Sequence, residues 1–219
     1  MSDVTITVRG DNEIRVSPER ATIHLTVSSD GHDRAAVVTE ALRRAEPLRA
    51  GLEQRVEAET LVEWSSNRLS VRGDRPWNNE GKRLATVYRA SVDFTATFAE
   101  ASELSLWVSE MSGEDGLEIG HVSWALTPHT RARIEQEVAA AAVGVAVARA
   151  EAYATALGLT SVVPQEIADV GMISAPRAVQ PGLQVRAAAF AVGESAPAMS
   201  YEPDDIVVSA TVEARFTAS

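Results

Sequence analysis

The sequence predicts an α+β fold, a mostly antiparallel sheet with helices packed on one face, in the order ββα ββα βα ββ. Three observations predict it. Apolar and polar residues alternate in several segments, most cleanly through Ala21, Ile23, Leu25 and Val27 and through Ile206, Val208, Ala210 and Val212, which is the period of a half-buried strand. Two long stretches instead repeat apolar residues at three- and four-residue steps, the period of a helix face. Strands also outnumber helices and several follow one another directly, so hairpins rather than parallel crossovers join them.

The elements follow in order. Residues 4–8 alternate and read as a strand, with Asp11-Asn12 and Ser17-Pro18 as punctuation. A second strand covers 21–28 and stops at Asp30-Gly31. A helix follows over 33–56, its stripe formed by Val38, Ala41, Leu42, Ala45, Leu48, Leu52 and Val56. Pro47 lies inside it and takes the usual donor from the carbonyl of Arg43, which predicts a kink or two pieces. A weak third strand spans 61–71, and a strong fourth spans 83–98 with Val92, Phe94, Ala96 and Phe98 on one face. The polar, glycine-containing Trp77 loop joins them as a hairpin.

Ala101, Leu104, Trp107, Val108 and Met111 give a short second helix stopped at Gly113, and 117–127 is a fifth strand. The third helix, 128–158, is dense in alanine. Thr127 is its N-cap, Pro128 its first residue and Gly158 its left-handed stop, with Leu159 as the closing contact. Ile134, Val138, Ala141, Val145, Ala148, Ala152 and Ala156 form its predicted face, built to lie close to a flat partner, and Gly144 suggests a tight contact. A sixth strand covers 165–173 and a final one 206–216. Between them, 174–204 is a long Pro- and Ala-rich loop, of a length that is uncommon unless functional.

With 219 residues the chain suits one large domain or two small ones. It reads as a single domain over 1–219, with two lobes meeting near 99–116. A net charge of −11 argues against nucleic acid, whose binding rests on cations placed against phosphates, and against anionic lipid. The absence of cysteine removes disulfides, thiolate metal sites and a cysteine nucleophile. No basic-then-apolar leader precedes residue 4 and no apolar run reaches the ~20 residues that span a bilayer, which predicts a cytoplasmic protein without a membrane partner.

Chemistry-bearing motifs are absent: no P-loop or G-x-G-x-x-G, no G-x-S-x-G and no H-E-x-x-H. His24, His32, His121 and His129 are dispersed, with His121 and His129 placed to meet a carboxylate such as Glu118, but no metal or cofactor site is read from them. Trp107 belongs to the core. Trp77, a large ring in a polar loop, is a candidate interface residue, and so are Val185, Phe190 and Val192 in the apolar island of the long loop.

Four segments together resemble the SIMPL-domain family, which includes bacterial YggE-type proteins. They are Ile6-Thr7-Val8-Arg9-Gly10 leading through Val16-Ser17-Pro18-Glu19-Arg20-Ala21, then Tyr88-Arg89-Ala90, then the helix end Ala150-Glu151-Ala152-Tyr153-Ala154-Thr155-Ala156-Leu157-Gly158, and the strand 206–216. The resemblance implies an α+β fold, no known catalytic residues, large homo-oligomers and a link to stress resistance. The expected function is therefore a non-enzymatic, self-associating protein with a possible protein client. The alternative is a small-molecule or client-protein binding module with 174–204 as its lid.

Overall fold

The computed structural model of the chain describes residues 3–173 and 201–219. Among them the elements run β1 (Val4–Val16), β2 (Arg20–Gly31), α1 (Arg34–Glu57), β3 (Glu63–Ser66), β4 (Ser70–Asp74), β5 (Val87–Phe98), α2 (Ala101–Met111), β6 (Leu117–Ala125), α3 (Pro128–Ala156), β7 (Val162–Asp169) and β8 (Ile206–Ala218). This is the α+β class, and every strand pair is antiparallel. The chain forms two compact units. Among the described residues, one takes 3–17, 126–173 and 205–219, and the other holds 18–125 and 201–204.

The first unit is a three-stranded sheet, order β1-β8-β7, with α3 packed on β1 and β8. β1 and β8 pair without interruption from Val4↔Ala218 to Val16↔Ile206. That ladder carries β1 straight through Asp11-Asn12, which the sequence marks as punctuation. A paired neighbour satisfies the peptide groups, and Asp11 keeps its carboxylate on the exposed face. β7 begins at Val162 rather than 165, on the same partner strand.

α3 starts and ends as its sequence predicts. Thr127 accepts from the Thr130 amide at 3.2 Å. Gly158 adopts φ +76°, and the Leu159 amide donates to the Ala154 carbonyl at 2.9 Å, closing a Schellman end. Its face differs from the predicted one. The buried row is Ile134, Val138, Ala142, Ala146, Ala150 and Ala154, all at four-residue steps. Such a row is a ridge inclined about 26° to the helix axis, and it follows the twist of the sheet beneath. Ala141, Val145, Ala148, Ala152 and Ala156 form the straight stripe that a flat partner would take.

The close approach is real, but it is made by another glycine. Gly144 is exposed, and a side chain there would meet nothing. Gly10 on β1 lies directly under the helix. A Cβ there would collide with the Ala142 carbonyl oxygen and come within 2.6 Å of the Ala146 amide nitrogen. Alanine at 142 and 146 and glycine at 10 together let helix backbone touch strand backbone. Contrary to the expectation of no such run, α3 is long and apolar enough, by length and composition alone, to cross a membrane.

The second unit is a five-stranded sheet, order β3-β5-β2-β6, with β4 also paired to β5. The single predicted strand over 61–71 is two short strands on one edge of β5, interrupted at residues 67–69. α1 and α2 cover one face. Ile23, Leu25, Phe94, Phe98, Leu52 and Leu104 are wholly buried between sheet and helices. Asp33 caps α1, its carboxylate accepting from the Ala35 and Ala36 amides at 2.8 and 3.0 Å. α1 runs as one element through Pro47, since the buried row Val37, Ala41, Ala45, Leu48 and Leu52 holds both halves to the sheet. Leu42 and Val56, read as part of that row, are exposed.

Candidate functional site

The sequence points to Trp77. It sits in a built hairpin rather than a slack loop. Trp77 and Arg83 form an isolated antiparallel bridge. Between them, the Asn78 amide donates to the Lys82 carbonyl at 2.8 Å, and the Asn78 side-chain oxygen accepts from the Lys82 and Glu80 amides. The indole is 61% exposed. The Arg83 guanidinium lies over one ring face at 4.4 Å from the centroid, so the other face is offered to solvent. Val185, Phe190 and Val192 lie outside the described residues, as does the apolar island they belong to.

A larger apolar surface lies on the side of α3 turned away from its sheet. Ala140, Gly144, Ala148, Ala152 and Ala156 are all exposed. From Val138 to Ala148 the helix carries no charge. Tyr153 and Leu157 extend this surface, 52% and 63% exposed. With Val4 and Ile6 of β1 they line a shallow groove. The strand beside it is an open edge, because among the described residues β1 pairs with β8 alone. The opposite edge is blunted. β7 carries Pro164, and its register shifts between Pro164 and Glu166. β1 has neither proline nor bulge along its 13 residues. One side chain, Arg149, reaches it from α3 and donates to the Arg9 carbonyl.

The second unit holds a cavity of about 400 Å³ between α1, α2 and the α2–β6 loop. Its apolar wall is Val27, Leu48, Trp107 and Met111, and its rim carries Arg43 and Arg44 on α1 and Glu114 and Asp115 on the loop. Glu40 holds both arginines: Arg43 reaches it through two nitrogens at 2.8 Å and Arg44 at 2.7 Å. The hydrogen bonds from Arg43 and then Arg44 lower the Glu40 carboxyl from its ordinary 4.5 to about 2. A depressed carboxylate adds stability above its unfolded pKa and loses it as the pH falls through the folded one. The contribution is expected to be complete above about pH 4.5 and to vanish towards pH 2. The pair is solvent-screened, so the effect is small. Urea midpoints of the native chain should therefore fall more over this window than those of Glu40→Gln; parallel curves would remove the pair from the stability account.

On the sheet face away from the helices, His24 and His121 stack with ring centroids 4.2 Å apart and planes 17° from parallel. They are 97 residues apart in sequence, and only the β2–β6 pairing, with its shift between Ile23 and Leu25, brings them together. Thr26 donates to Asp93 at 2.8 Å on the same face. Among the described residues no group of three His, Asp or Glu could hold a metal ion.

Comparison with curated proteins finds no match. Residues 6–216 match the SIMPL family, described as proteins of unknown function (DUF541). That span runs from β1 to β8 and takes in both units, so the chain belongs to the SIMPL family.

Proposed function

We propose that this chain is a non-enzymatic protein that works by self-association, through the outward side of α3 and the neighbouring edge of β1. The observation that carries this reading is the exposed row Ala140, Gly144, Ala148, Ala152 and Ala156 with Tyr153 and Leu157 beside it. Small side chains let a second helix approach closely, while the aromatic and leucine supply buried area. A 13-residue strand edge without proline or bulge next to that surface gives a second copy backbone groups to pair with. The exposed ring of Trp77 in a hydrogen-bonded hairpin is a further contact point, for another copy or for a protein client.

The test is a charge placed on the surface. Ala148 is exposed, so Ala148→Glu leaves the folded monomer's packing alone and places carboxylates in any α3–α3 contact. The variant is expected to elute from a sizing column at 23.4 kDa while the native chain elutes larger, with unchanged circular dichroism. Identical elution of the two as large species would remove α3 from the interface. The cavity of the second unit favours the second reading, a small-molecule binding module, which does not require assembly.

A further inference from the structure

We infer that the cavity between α1, α2 and the α2–β6 loop is a binding site for a small zwitterion with an apolar body, of the size and chemistry of an α-amino acid. The cavity, about 400 Å³, is in the range that holds such molecules. Its inner wall is apolar, lined by Val27, Leu48 and Trp107.

Charge of both signs lines the opening. Arg43 and Arg44 share the one carboxylate of Glu40, which is held ionised, so the trio keeps one net positive charge and several guanidinium donors uncommitted. Glu114 and Asp115 on the loop make no ion pair among the described residues. A carboxylate suits the first group and an ammonium the second, and an apolar side chain suits the floor.

Three local features build the opening rather than merely leave it. Pro47 lines the cavity, and its ring has no N–H to give to the Arg43 carbonyl one turn back. Gly51, one turn on, also lines it, and a side chain there would meet no neighbour. Gly116 adopts φ +80° and brings the loop against β2, its carbonyl accepting from the Ser28 amide at 2.8 Å. Arg44 then packs so close that a Cβ at 116 would strike its guanidinium and lie 2.7 Å from the Ser28 carbonyl. The Arg44 guanidinium also reaches that carbonyl, at 3.5 Å. The loop that presents Glu114 and Asp115 is thereby fixed to the helix that presents the arginines.

The experiment is calorimetric titration of the full chain with L-phenylalanine, and in parallel with phenethylamine and 3-phenylpropionate, which each keep one of its two charges. Saturable binding of phenylalanine is expected, with each analogue about tenfold weaker or more. Gly51→Leu, which adds bulk at the opening and improves helix propensity, should abolish it while melting no lower than the native chain. Glu114→Gln with Asp115→Asn should weaken phenylalanine by about tenfold and leave 3-phenylpropionate unchanged. No saturable binding of phenylalanine at millimolar concentration would overturn the proposal. So would analogue affinities equal to that of phenylalanine, or binding that survives Gly51→Leu. All of these readouts concern the second unit alone, so failure of self-association would leave them standing.

Discussion

Gly10→Val is expected to destabilise the first unit by about 3 kcal/mol, the upper end of what overpacking costs. In most cores an extra methyl group displaces a side chain, which can rotate away. Here the obstacles are the Ala142 carbonyl oxygen and the Ala146 amide, which belong to a continuous helix and cannot move singly. The helix must lift as a body. Its ridge from Ala142 to Ala154 would then separate from Ile6, Val8, Val212 and Phe216, which loses dispersion contacts along its whole length. For a chain of this size about 3 kcal/mol lowers the melting temperature by roughly 6–12 °C. Gly144→Ala is the control, since its Cβ meets nothing and alanine is the better helix former. It should hold or raise the midpoint. If Gly10→Val melted with the native chain, the backbone contact would carry no weight.

Phe98→Ala is expected to cost more, about 3–5 kcal/mol, because it empties the centre of the second unit. Phe98 is 0% exposed. Its ring lies 5.3 Å from that of Trp107, tilted 41° to it, and β5, which carries it, is held between β2 and β3. The site has little freedom to collapse: β5 is hydrogen-bonded on both sides and α2 packs above. The lost ring is therefore left largely as a void. Chemical denaturation should show the midpoint falling with the slope unchanged. A loss below about 1 kcal/mol would mean that α2 closes over the gap.

The parts of this molecule that could be read from its sequence are those set by period and by local chemistry. Alternation places Ile23, Leu25, Phe94 and Phe98 inward, and capping chemistry places Thr127 and Gly158 at the ends of α3, as found. Features set by a distant partner were not legible. Asp11-Asn12 looks like a turn until β8 is laid beside it. The inward row of α3 departs from the straight stripe because the twist of its sheet selects the inclined ridge. Glycine offers the same signal at 10 and at 144, and only packing shows which one is covered.

The candidate sites divide in the same way. Trp77 could be picked out because an indole among polar loop residues is conspicuous. The cavity could not, because β2, α1, α2 and the chain from Glu114 to Leu117 contribute to it from four separate stretches. Its one local hint was Pro47, legible as a helix defect and not as part of a cavity wall. The His24–His121 stack depends on strand register, which no motif announces.

The claim that matters most is that this chain works as an assembly. Its most direct test is the solution mass of the native chain by light scattering on a sizing column. The account predicts a single species several times 23.4 kDa; a uniform species at 23.4 kDa across the accessible concentration range would contradict it.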